Sequence, residues 1–188
     1  NINMLSIMEW TASHPHFKQL LVNIYDSLPY QMCFIPLFII ASGRFNLIRE
    51  YYFLMLFTTL LGFTFYYFFP TNGPADIIQS PLFSYEQLAA GIKFNQIHHH
   101  LPPTTNQGGL IAFPSFHVVW ALLSIYLLKE WPIPCFVLTV INCLLIASCI
   151  LLGWHYVIDV LGGILLFVFS LDVLNRLQDK KSIHHILM

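Results

Sequence analysis

Apolar residues run along this chain in long blocks separated by short polar punctuation, and that pattern sets the first expectation. A hydrocarbon core of about 30 Å is crossed by about 20 mostly apolar residues in a helix. Residues 51–69, 116–128, 132–152 and 156–174 meet or approach that length. A fifth block, 28–42, is shorter and carries Pro36. Upstream, Phe17, Leu20, Leu21 and Ile24 recur at helical spacing among polar residues, so 10–25 predicts an amphipathic helix lying at the membrane interface. Between the second and third blocks lies a polar insert, 71–113, with turn chemistry at Thr71-Asn72-Gly73-Pro74 and Pro102-Pro103. A loop of that length inside a small domain is usually functional or disordered. The expected fold is all-α: a polytopic transmembrane helix bundle of five visible spans plus an N-terminal interfacial helix. The division that follows is an N-terminal interfacial segment (1–28), a membrane-embedded domain (29–176) with its outer loop (71–113), and a cytoplasmic tail (177–188).

Composition agrees. Of 188 residues, 57% are hydrophobic and 9% charged, with mean hydropathy +0.68. A soluble domain carries roughly 25% charged residues, so most of this surface faces lipid. The net charge of −1 gives no basic surplus for nucleic acid. Cys33, Cys135, Cys143 and Cys149 lie in apolar runs without C-x-x-C spacing and read as small buried side chains. The chain starts at Asn1, without an initiator Met or a signal-type start, and further residues are expected before it.

Charge also orients the spans. Threading them alternately puts Arg44, Arg49, Lys129, Arg176, Lys180 and Lys181 on one side and only Lys18 and Lys93 on the other. Positive residues collect on the cytoplasmic side. The chain is therefore expected as a multi-pass protein of a cell (inner) membrane, with 71–113 on the outer (periplasmic or lumenal) face. The same threading brings Ser115 and His155 together on that face.

Two segments there carry chemistry. In Gly153-Trp154-His155-Tyr156-Val157-Ile158-Asp159, His155 and Asp159 are spaced to share a helix face. Asp159 lies about a turn inside an apolar span, where a charge needs a partner. A carboxylate on one ring nitrogen fixes the tautomer and leaves the other nitrogen basic enough for nucleophilic attack. The plainer reading is a His–Asp pair that only stabilises the turn. In Ala112-Phe113-Pro114-Ser115-Phe116-His117, Pro114 and Ser115 suit a helix start. The free N–H groups of that first turn would bind an anion, the Ser115 hydroxyl could add a donor, and His117 would stand beside a phosphate to protonate a leaving oxygen. A capped helix with an interfacial histidine is the alternative.

Pro-Ser-x-His followed by His-x-x-x-Asp at the start of a later membrane helix resembles the type 2 phosphatidic acid phosphatase superfamily. The flanking residues are most similar to its inositolphosphorylceramide-synthase-like (inositolphosphotransferase) branch. The likeness covers roughly 25–174 in architecture but is specific only in the two motifs. It implies a six-helix core, a phosphohistidine on His155, proton donation by His117, orientation by Asp159, and phosphate contacts from Ser115. No metal and no cofactor are implied.

The departures point the same way. Many superfamily phosphatases carry Lys, six residues, then Arg-Pro upstream, and Ser-Arg ahead of the nucleophile. This chain has no such Lys/Arg-Pro pair, and Ser148-Cys149 stands where Ser-Arg would. Phe116 stands where many phosphatases have Gly. The phosphotransferase branch lacks much of the same basic set. Ser148 and Phe116 are carried as substrate-binding candidates. Lys93 is either a phosphate ligand or a solvated loop lysine. His98-His99-His100, in an extended loop, would point alternately and could place at most two side chains on a metal; a role for one of them in substrate binding is the other option. His184 and His185 fall in the tail. Gly162 and Gly163 would let the motif-bearing helices converge.

The expected function is a metal-independent lipid phosphatase or phosphotransferase with a histidine nucleophile. Its partners would be a membrane phospholipid or lipid phosphate, and water or a lipid alcohol as acceptor. A catalytically inactive relative, or a transport protein of the same helical architecture, is the rival reading.

Overall fold

Proline marks where several helices begin. Pro15, Pro29 and Pro132 occupy first-turn positions, where a missing N–H costs no hydrogen bond. The computed structural model describes residues 3–186, with side chains to residue 179. Asn1, and the side chains of Lys180, Lys181, His184 and His185, lie outside the described residues.

Among the described residues the regular structure is entirely helical. In order come α1 (Met4–Ala12), α2 (Pro15–Tyr25), α3 (Leu28–Ala41), α4 (Phe45–Phe68), a 3-10 turn at Pro74–Asp76, α5 (Tyr85–His98), α6 (Phe116–Leu127), α7 (Pro132–Leu151) and α8 (Val157–Ile186). Phe45–Phe68, Pro132–Leu151 and Val157–Asp179 are each long and apolar enough to cross a membrane. At 1.5 Å per residue, α4 alone reaches about 36 Å. The pair α2 and α3 also qualifies together, bent by 43° at Asp26-Ser27. This is a helical, multi-pass membrane bundle.

Helix α6 has only 12 residues but sits at the centre. Val119, Leu123 and Leu127 face a cluster with Ile39 of α3, Leu54 of α4 and Leu174 of α8. Val118 and Ala121 face a second cluster with Leu21 and Tyr25 of α2, Leu28, and Leu145 and Cys149 of α7. Lipid offers no hydrophobic gain for helix association, so close packing and a few polar bonds must hold the helices together. One such bond runs from Asn142 Nδ2 to the Ala121 carbonyl, 2.9 Å, between buried faces of α7 and α6. At one end of the bundle, Glu50 accepts from Tyr126 (2.6 Å), Lys129 (2.8 Å) and Gln178 (2.8 Å), tying α4, α6 and α8 together. Arg44 pairs with Glu130 at the same end, 3.2 Å. The starts of α6 and α8 lie at the opposite end.

Several local expectations differ from the structure. Of the four cysteines Cys149 is buried, Cys135 partly so, and Cys33 and Cys143 are exposed on outward helix faces. Residues 10–25 are not one interfacial helix: Ser13 and His14 separate α1 from α2. Helix α2 enters the bundle because Leu21, Tyr25 and Leu28 form an apolar ridge that fits against α6 and α7. The insert 71–113 is not an unbroken loop, since α5 lies within it. That helix starts with a capping box in which Ser84 Oγ accepts from the Gln87 N–H and the Gln87 side chain accepts from the Ser84 N–H. His98 therefore ends a helix, and His98 and His99 each place Nδ1 on a backbone oxygen four residues back.

Candidate active site

Cys149, near the end of α7, accepts on its carbonyl from the N–H groups of Trp154 (3.0 Å) and His155 (2.9 Å). This folds the turn back before α8 begins and fixes where the His155 ring emerges. Asp159 in the first turn of α8 accepts from the Tyr156 N–H at 2.8 Å, as a capping residue would. Its Oδ2 also stands 3.6 Å from His155 Nδ1. That separation is a contact rather than a hydrogen bond, and Nδ1 is buried without another protein partner. Hydrogen bonds of this kind are often long before substrate binds.

The start of α6 is docked on the same turn. The Ser115 N–H donates to the Asp159 carbonyl at 3.0 Å. The close approach depends on Gly163, where an added Cβ would stand 2.6 Å from the Ser115 carbonyl oxygen. Gly162 likewise admits the Phe113 ring. The two glycines thus let the motif-bearing helices converge, as their position in the sequence led one to expect. His117 then faces His155, with ring centroids 5.8 Å apart.

Tyr25 of α2 holds this pair in a way the sequence did not reveal. Its ring stacks on His117 at 4.5 Å and on Trp154 at 5.1 Å, bridging the two motifs. Its hydroxyl is 3.4 Å from His117 Nδ1. The signal that could have found it is the spacing of Leu21, Tyr25 and Leu28, which continues one helix face through the bend.

His117 and His155 open onto a narrow cleft of about 60 Å³, roofed by the insert through Asn72, Gly73, Gly109 and Ile111. Among the described residues neither Lys nor Arg lines it. His117, Tyr25 and Trp154 also border a wider cavity of about 770 Å³, lined with Lys18, Asp26, Ser84 and Glu86. Hydrogen bonds from its own N–H and from Ser84 hold the Glu86 carboxyl below the usual range, so it is ionised at neutral pH.

The remaining candidates fall elsewhere. Ser115 Oγ is fully buried without a partner, and Ser115 does not cap α6 through its side chain. Ser148 Oγ donates to the Leu145 carbonyl inside α7, and the Cys149 thiol turns to that same carbonyl. Phe116 packs against Phe63 and Trp120, away from the cleft. Lys93 donates to the carbonyls of Gln107 (2.9 Å) and Gly108 (2.6 Å), binding the insert to itself. His155, His117 and Asp159 are therefore brought together; Phe116, Ser148 and Lys93 are not.

No curated protein and no solved structure matches the chain. The family model described as the PAP2 superfamily matches residues 1–173. The chain belongs to the PAP2 superfamily, and a phosphatase- or phosphotransferase-type function goes with that membership.

Proposed function

We propose that the protein is a membrane lipid phosphatase or phosphotransferase that works through a phosphohistidine on His155. The observation carrying this reading is the facing pair His117 and His155 at 5.8 Å, with Asp159 behind His155, on a common cleft.

The chemistry follows from which nitrogens are occupied. With Nδ1 toward Asp159, His155 keeps the Nε2 lone pair for in-line attack on phosphorus. The bond from phosphorus to the leaving oxygen breaks, and that oxygen takes a proton from His117. With Nδ1 beside the Tyr25 hydroxyl, Nε2 of His117 is the nitrogen for this transfer. His117 then removes a proton from the incoming water or alcohol. Its oxygen attacks phosphorus, and the P–N bond electrons return to His155. Here His155 contributes nucleophilic catalysis and His117 acid–base catalysis, with positioning of the phosphoryl group adding to both.

Two features favour transfer over simple hydrolysis. A cleft lined by no Lys or Arg suits the single negative charge of a phosphodiester better than the double charge of a monoester. The wider cavity that His117 also borders, lined by both polar and apolar side chains, gives a lipid alcohol a place to stand next to the proton-transferring residue. We therefore assign the chain to the inositolphosphorylceramide-synthase-like branch, with a phospholipid as donor. We place the reaction on the outer face of a cell membrane, because Arg44, Arg49, Lys129 and Arg176 collect at the end of the bundle opposite the cleft.

The test is turnover of phospholipids and lipid phosphates by purified wild-type protein and His155→Ala in detergent micelles. The reading requires activity in the first and a loss of 10³-fold or more, a rough scale for nucleophile removal, in the second. Equal turnover by both would sink it.

A further inference from the structure

The charge on a bound phosphoryl group has to be met by something, and the cleft holds no cation. We infer that the side-chain amide of Asn72 is a phosphoryl-binding donor, taking by neutral hydrogen bonding the place a cationic clamp would fill. The inference rests on the reading of the cleft as a phosphoryl-transfer site.

Asn72 is held from both sides. Thr71 Oγ1 accepts from the Phe113 N–H at 2.9 Å, fastening the insert to the segment that leads into His117. Gly73 lies against the other motif, where an added Cβ would come within 3.0 Å of the Trp154 carbonyl oxygen. Asn72 is thus the residue spanning the gap between the two histidine-bearing segments, and it lines their cleft. Its amide cannot turn freely. Oδ1 accepts from the Gly73 N–H at 2.9 Å, and a flipped amide would set two donors against each other. That fixes Nδ2 as the free end. Nδ2 is buried and has no hydrogen-bond partner among the described residues. A buried amide left without an acceptor is costly, and Asn72 lines the same cleft as His155 and His117, where two N–H donors would suit a phosphoryl oxygen. Ser115 Oγ, also buried and unpartnered, stands at the neighbouring helix start.

A donor in such a place strengthens as charge develops on the equatorial oxygens in the transition state, which is how a neutral group can serve catalysis. The donors hold the phosphoryl group while His155 attacks and again while the P–N bond breaks. Asn72 transfers no proton in either step.

Asn72→Asp and Asn72→Ala separate this role from a structural one. Asp keeps the oxygen that accepts from Gly73 and replaces only the NH₂ with a negatively charged oxygen. Ala loses both. If Asn72 only secures the turn, Asp is the milder change; if it donates to phosphoryl oxygen, Asp is the worse one. The measurement is orthovanadate binding to the purified full chain in micelles, by calorimetry, with thermal unfolding as the control for folding. We expect wild type to bind, Asn72→Ala to bind about tenfold more weakly or worse, and Asn72→Asp to show no binding while still unfolding cooperatively on heating. Turnover of Asn72→Asp should fall about 100-fold. Orthovanadate bound by Asn72→Asp as well as by wild type, or not bound by wild type, overturns the inference. An active wild type, inactivated by His155→Ala but insensitive at Asn72, removes this role and leaves the reaction standing. Turnover that ignores His155 removes the reaction, and the orthovanadate comparison still decides Asn72.

Discussion

In the proposed mechanism three side chains set the reactivity of this cleft, and each is constrained by a different neighbour. His155 is aimed by its backbone bond to Cys149, His117 by the Tyr25 ring, and Asp159 by the Tyr156 N–H. Asp159→Asn keeps the capping bond to Tyr156 but loses the charge behind His155. We predict that it folds normally and loses about 10²–10⁴ in kcat, a scale typical of removing a base or its orienting partner; kcat within threefold of wild type would show that Asp159 only caps α8. Tyr25 offers a graded comparison. Tyr25→Phe retains both stacks and loses only a long contact, so kcat should change by about threefold or less. Tyr25→Ala leaves His117 and Trp154 without their common wall, and about 10–100-fold of kcat should go with it. Steady-state kinetics on the two variants would reveal whether the ring or the hydroxyl matters.

At the scale of helices, the motif segments and most spans were legible in the sequence because apolar length and local spacing encode them. The starts of α7 and α8 fall within two residues of the expected 132 and 156. Helix α4 begins six residues earlier than the apolar block at 51, because Glu50 is satisfied by Tyr126, Lys129 and Gln178 and no longer has to sit outside the helix. No local pattern could show those distant partners. The break between α1 and α2 was readable, since His14 precedes Pro15 and a residue before proline avoids helical geometry. The capping box at Ser84 and Gln87 was also readable and would have marked α5. The spacing of Leu21, Tyr25 and Leu28 could mark Tyr25 as facing the bundle, but its stack on His117 and the role proposed for Asn72 were not readable, because they arise from contacts 92 and 42 residues away along the chain, the latter through the neighbouring Thr71. The meeting of α6 and α8 rests on a small residue. Gly163→Ala would drive a Cβ toward the Ser115 carbonyl and the Val118 side chain. The expected cost is about 1–3 kcal/mol of stability from overpacking, with turnover falling further as His117 and His155 separate. Thermal unfolding and kcat measured on the same preparation would test both parts.

Across the whole molecule, the two ends of the bundle divide the work. The end with Glu50, Lys129, Arg44 and Glu130 fastens helices; the opposite end carries the cleft. Glu50→Gln should lower stability by about 1–2 kcal/mol through the loss of charge-assisted bonds, while kcat of the folded fraction stays within twofold, roughly the limit for an independent distant site. A large kcat change with stability intact would mean that the ends are coupled. Sidedness can be read from single cysteines at Glu86 and Glu130 and a membrane-impermeant maleimide: Glu86→Cys should label from outside and Glu130→Cys only after the membrane is opened, and the reverse pattern would invert the proposed topology. The central claim, however, is a covalent one. Wild-type protein mixed with phospholipid, quenched in alkali within one turnover and digested for mass spectrometry, should carry an acid-labile phosphoryl group on the peptide containing His155. His155→Ala should carry none. Turnover by wild type with no phosphoryl group on His155 at any quench time, or a label on another residue, would contradict the mechanism.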